Sequence, residues 1–161
     1  DSAQVESLKD SFCAGYAKSG VENMLVITKD GEVHYMTDNN PRGVDCSYLG
    51  GKLKGSYNIH THPPDTTQYS FSTDADIPGA FADGTAIMEA VDYKYRYRFV
   101  VPKSVTFEQW DAVRYDVEEN IGEIMAQRGY TFDDVVENQQ HVIIEETCKR
   151  LGISSYSRWR R

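Results

Sequence analysis

The chain has 161 residues, 40% of them apolar, enough to close one core, and a single domain over residues 1–161 is expected. Seventeen basic against twenty-five acidic residues leave a net charge of −8, which repels phosphate backbones and anionic lipid, so neither nucleic acid nor a membrane is an expected partner. No stretch approaches the roughly 18 uninterrupted apolar residues of a membrane span, and Cys13, Cys46 and Cys148 form no CxxC pair, so a soluble protein of a reducing, cytoplasmic compartment with three small buried thiols is expected. The N-terminus shows no signal pattern, but the chain starts at Asp1 without a methionine, which leaves a preceding leader or domain open.

Val5, Leu8, Phe12 and Tyr16 recur three to four apart and predict an amphipathic helix from Ser2 to about Ala17. Gly20 breaks it, and Glu22 leads into Met24-Leu25-Val26-Ile27-Thr28. The Asp30-Gly31 turn and the run from Glu32 to Thr37 then complete a β-hairpin. Asp38 to Gly55 reads as a loop with room for a short helical turn, and Ser56 to His62 alternates as a strand. Pro63-Pro64 opens a polar loop that runs to Ser72, and this long connection at a strand end is where an active site is expected. Thr73, followed by Asp74, Ala75 and Asp76, has the form of a hydroxyl cap, predicting a helix from about Asp74 to Ala82 that Pro78-Gly79 shortens or distorts.

Two further strands are predicted around 86–91 and 95–101, joined by Asp92-Tyr93-Lys94. Alternate Tyr93, Tyr95, Tyr97 and Phe99 read as packing under a helix, not as a base-stacking row. Past Pro102 the period becomes helical. Thr106 and Gln109 are spaced as a capping box, Phe107, Trp110, Val113, Val117, Ile121, Ile124 and Met125 share a face, Gly129 ends the helix, and Thr131 with Asp134 opens another. Lys149, Arg150, Arg158, Arg160 and Arg161, interleaved with Tyr156 and Trp159, read as a solvated tail or a patch docked on the acidic body. The sum is an α/β fold: a β-sheet flanked by helices, its core at about 5–101 and a C-terminal helical extension at about 105–152.

His60-Thr61-His62-Pro63 carries the chemistry, because side chains two apart on a strand point to one face and can reach the same ion. Neutral imidazole suits Zn²⁺, and catalytic zinc sites take three protein ligands and leave one position for water. Asp65, Asp74 and Asp76 follow as carboxylates that could complete such a set. His34 and His141, the other two of four histidines, have no neighbouring ligand pattern and are expected to be structural or exposed.

His60-x-His62-Pro63, then a loop, then a hydroxyl residue and Asp76-Ile77, resembles the H-x-H-P…S-x-x-D signature of the JAMM (MPN+) metalloprotease family, and Val21-Glu22-Asn23-Met24 stands where that family has a glutamate opening its first strand. The order helix, glutamate, hairpin, HxHP strand, capped helix matches over about residues 5–101. Three features depart from it: the loop is longer, Thr73-x-x-Asp76 has Thr for Ser, and Leu25 stands where a glycine is usual. The resemblance implies an MPN-like, cytidine-deaminase-like fold, Zn²⁺ on His60, His62 and Asp76 with Asp74 as second choice, and Glu22 as general base with Glu32 as fallback. It also implies Thr73 or Ser72 as donor to the oxyanion. The implied activity is cleavage of a peptide or isopeptide bond, the partner being a peptide or a ubiquitin-like protein tail. A non-catalytic MPN-like binding module is the alternative, while a phosphoesterase of the PHP kind fails for lack of further histidines.

Overall fold

The computed structural model describes residues 1–64 and 68–161. Six strands, β1 Met24–Ile27, β2 Val33–Met36, β3 Tyr57–Thr61, β4 Ile87–Val91, β5 Tyr95–Val100 and β6 Tyr156–Arg160, form one mixed sheet in the order β2-β1-β3-β4-β5-β6. All neighbours are antiparallel except β3 and β4, which run parallel and are linked by helix α2, Asp76–Asp83. Helix α1 is Ser2–Tyr16, and α3 Phe107–Glu119, α4 Ile121–Gln127 and α5 Val135–Arg150 follow β5. No helix among the described residues is long and apolar enough to cross a membrane.

Strand alternation divides the sheet into two faces. On one, Ile59 and Val91 join Leu25 and Ile27 against Phe12, Cys13 and Ala17 at the end of α1. On the other, Met88, Ala90, Tyr97 and Phe99 pack against Ile77 and Ala80 of α2, Trp110 of α3 and Ile144 and Cys148 of α5. Leu49 and Leu53, in a 3₁₀ segment at Ser47–Leu53, extend this side over β1 against Val26 and Met36. A further apolar cluster ties α3, α4 and α5 to one another through Val117, Ile124, Met125, Val142 and Ile143.

Local signals act where their chemistry is strong. Gly31 sits at φ 87° in the β1–β2 turn, a conformation that favours glycine, and the Thr106–Gln109 capping box forms with both reciprocal bonds. Of the four aromatics expected to pack under a helix, Tyr97 and Phe99 are fully buried, Tyr95 is half-buried and Tyr93 is exposed.

Three expectations are corrected. Thr73 does not cap α2, which begins at Asp76 with Ala75 at the cap position; Pro78 falls in the first turn, where its missing N–H is harmless, and the helix runs on to a left-handed Gly84. The helix expected from Phe107 through Met125 is two helices, because Asn120 leaves helical geometry (φ −112°, ψ 15°) and donates its side-chain amide to the Asp116 carbonyl. The terminal basic segment is not a tail but strand β6, pairing Tyr156 with Phe99 and Arg158 with Tyr97. Arg160 is exposed, Arg158 is half-buried and donates from Nη1 to Asn138 Oδ1 at 2.7 Å, and Tyr156 enters the core.

Candidate metal centre

β3 brings His60 onto the face covered by α2, opposite Ala90 of β4 and Met24 of β1, and the chain delivers His62 just past the strand end. Both rings are buried, 3% and 4% exposed. Their Nε2 atoms lie 3.0 Å apart, and the Asp76 Oδ2 stands 3.5 Å from His60 Nε2. One ligand atom from each of His60, His62 and Asp76 lies within 4.8 Å of the other two, a group that could hold a metal ion.

Asp76 is fixed by its own helix start. Ser72 Oγ accepts from the Asp76 N–H at 2.8 Å, and Asp76 Oδ2 accepts from the Ser72 N–H at 2.9 Å, so a reciprocal pair four residues apart orients the carboxylate. This pair replaces the expected Thr73 cap, and it gives Ser72 a part that the S-x-x-D pattern does not contain. Thr73 and Asp74 line the same cavity, but Asp74 does not belong to the convergent group. Asp65, the other candidate carboxylate, lies outside the described residues. Glu32 is paired with Lys52 at 3.0 Å on an exposed part of the hairpin. His34 is half-buried on β2, and His141 is buried in α5, with Nδ1 2.8 Å from the Tyr156 hydroxyl.

Glu22 is buried just before β1, and several bonds hold its backbone. Its N–H donates to Asn40 O at 2.9 Å, its carbonyl accepts from Thr37 Oγ1 at 3.2 Å, and the next residue, Asn23, donates its N–H to Thr61 Oγ1 at 2.9 Å. Thr61 is the residue between the two histidines, and its own N–H returns to Asn23 O at 2.9 Å. The Glu22 segment and the His-x-His strand are therefore one rigid unit. Tyr35 Oη adds a bond to Asn23 Oδ1 at 2.7 Å.

The electrostatics follow from burial beside charge. Desolvation raises the Glu22 pKa, an effect that the His60 charge lowers and the Asp76 charge reinforces. Desolvation also drives His62 down to about 3, helped by repulsion from His60, so that ring is neutral and its nitrogens are available as ligands at pH 7. His60 moves the other way: burial lowers it, but the Asp76 charge and hydrogen bond together with Glu22 outweigh burial. Asp76 is likewise opposed by burial yet held below the usual carboxylate range by His60, His62 and the Ser72 N–H. A metal ion bound among these groups would displace any proton held on them.

The site opens into a cavity of about 850 Å³ walled by Glu22, His60, His62 and Asp76, with Arg42, Val44 and Cys46 on one side and Gln139 and Gln140 of α5 on another. The loop and helix contributions had no legible motif, but Asn58 did carry a signal, since it stands two residues before His60 on the same strand face. Set against family models, curated proteins and solved structures, the chain matches none of them.

Proposed function

We propose that the chain is a zinc-dependent peptidase or isopeptidase with an MPN-like arrangement of sheet and helices, acting on a peptide or on the tail of a ubiquitin-like protein. The observation that carries this reading is the convergence of His60, His62 and Asp76 on one point in a cavity that the buried Glu22 also walls. Two imidazole nitrogens and one carboxylate oxygen are ligand types that zinc takes. Bonds of about 2.0–2.1 Å at tetrahedral angles put ligand atoms roughly 3.3 Å apart, and the separations of 3.0 and 3.5 Å bracket that spacing.

Bound there, zinc would supply Lewis acidity, bringing the pKa of a water from about 15.7 to about 7. The chain's own residues do the rest. Glu22, its carboxylate made more basic by burial, accepts the proton of the attacking water and delivers it to the leaving amine. Ser72, which accepts from the Asp76 N–H, still has its hydroxyl proton to offer, and it or Thr73 donates to the oxygen that gains charge. The cavity wall carries Asp74 and Asp83 as well as Arg42, while its Glu118 and Arg114 are paired with one another, so its charge is mixed.

Zinc content of the purified protein, thermal stability with and without added zinc, and hydrolysis of a lysine isopeptide test the reading together. Glu22→Gln should keep zinc and lose turnover by about 10²- to 10⁴-fold, and His62→Ala should lose both. Full turnover in Glu22→Gln would overturn the mechanism. A wild-type protein that neither binds zinc nor gains stability from it would be the non-catalytic binding module instead.

A further inference from the structure

Asn58 is 7% exposed, and its side-chain Oδ1 is buried with no hydrogen-bond partner among the described residues. It lines the cavity of the metal centre. Its cross-strand neighbours in register, Val26 on β1 and Met88 on β4, are both apolar. Leu53, Met24 and Met88 share the cavity wall with it. A buried amide in such a floor is expected to be hydrogen-bonded. A side-chain amide offers one acceptor and two donors, and the group that matches both in one plane is another amide.

We infer that Asn58 is a specificity residue that pairs with a main-chain peptide group of the substrate, so the cavity recognises an extended peptide on the acyl side of the bond to be cut. This rests on the hydrolase reading above for the position of that bond. Residues two apart on a strand are separated by about 6.6 Å, close to two residues of an extended peptide. A substrate carbonyl placed at the His60–His62–Asp76 point and running along β3 therefore brings the peptide group between its second and third residues over Asn58. In an isopeptide the amine side is a lysine side chain with no peptide group at that distance, which leaves the acyl side. A peptide backbone presents the required N–H whatever its side chains.

The test uses the zinc-loaded protein with acetyl-Gly-Gly-Gly joined to the ε-amine of lysine amide, and the same compound with sarcosine as its middle residue. The sarcosine N-methyl removes the N–H that Asn58 Oδ1 should accept. Wild-type protein should lose about tenfold in kcat/KM on the sarcosine compound, and Asn58→Leu should lose about tenfold on the triglycyl compound while discriminating between the two by no more than about twofold. Zinc stoichiometry should be unchanged. Equal proportional loss on both compounds would overturn the assignment, because Asn58 would then act only on the fold.

Binding followed through the Asn58 side-chain NH₂ resonances separates this from failure of the hydrolase reading and needs no folded variant. Resonances that shift with the triglycyl compound and not with its sarcosine analogue, in a protein that cleaves neither, would keep the peptide-binding role and reject the hydrolase. Resonances that do not move would overturn the role of Asn58 whether or not cleavage occurs.

Discussion

The two faces of the sheet each bury charge, but they do it differently. Behind the sheet, Glu89 of β4 is almost fully buried and contacts Lys9 of α1, with Arg96 at 3.1 Å and Arg98 at 3.9 Å. Asp10 and Glu6 complete the group, 2.7 Å from Arg96 and 2.8 Å from Lys9. Three cations thus face three carboxylates and the cluster is closed on itself. In front, one residue further along β3 and β4, Glu22 and Asp76 share their space with two imidazoles, and no lysine or arginine among the described residues forms an ion pair with either carboxylate. Two carboxylates and two imidazoles without a lysine or arginine partner form an incomplete set that a divalent cation would complete. Burial alone does not set the two clusters apart; the lack of a cationic partner in front does, and it leaves a place for a cation.

Breaking the closed cluster should have the largest effect on the metal-free protein and leave the open one untouched. Glu89→Leu leaves the buried Lys9 ammonium with only the half-exposed Glu6 and Arg96 with only Asp10, and should cost about 3 kcal/mol in urea unfolding, with the stabilisation by added zinc unchanged. The open cluster should respond in reverse. His62→Ala removes a buried ring that contacts His60, so the metal-free protein should lose about 1–3 kcal/mol. Zinc at about a thousandfold excess over Kd should stabilise the wild type by ~4 kcal/mol and this variant hardly at all, as read by thermal unfolding in matched buffers. Equal zinc stabilisation of the two proteins would place the ion elsewhere.

A third buried group, neutral, sharpens the contrast. Burial and then the Arg158 charge push His141 down to about 4, so the folded protein binds fewer protons there than the unfolded chain, whose histidines titrate near 6.5. Stability is therefore lost as pH falls from about 6.5 to about 4 and is fully present above that window. The loss assignable to this ring is about 3 kcal/mol, since each tenfold change in proton affinity is worth roughly 1.4 kcal/mol. His141→Gln, whose amide can still hydrogen-bond Tyr156 Oη, should flatten the acid limb of a stability-against-pH curve by that amount. In metal-free protein His62 contributes with the same sign, so part of the slope should remain.

The front site was readable because its chemistry is local: two histidines on one strand face share a direction by geometry alone, and a glutamate opening the preceding strand lies beside them once β1 pairs with β3. The hairpin, the HxH strand and the capping box at Thr106 were legible for the same reason, each being set by residues a few positions apart. The back cluster was not, since Lys9, Glu89 and Arg96 come from one helix and two strands and no spacing links them. Nor was β6. Its alternation of Tyr156, Arg158 and Arg160 against Ser157 and Trp159 is strand-like, but the arginines suggested a solvated end until β5 supplied a partner for the backbone. Asn120 likewise breaks a continuous apolar stripe through a single local bond, which a periodicity cannot register.

The smallest effects should separate the two adjacent hydroxyls that the sequence left as alternatives. Ser72 exchanges two hydrogen bonds with Asp76, so Ser72→Ala removes the one made by its hydroxyl and should cost about 1 kcal/mol as a lost hydrogen bond. It should also weaken zinc binding by 10- to 100-fold, because the ligand carboxylate loses part of the partner that orients it. Thr73 is not the cap of α2 and only borders the cavity, so Thr73→Ala should change stability by less than about 0.5 kcal/mol and leave zinc affinity alone. Any fall in its kcat would then report donation to the developing oxyanion. Competition with a chelator measures the first quantity and turnover at saturating zinc the second. A Thr73→Ala protein that loses zinc while Ser72→Ala retains it would exchange the two assignments, and would mean that the reciprocal Ser72–Asp76 pair does not set the geometry of the site.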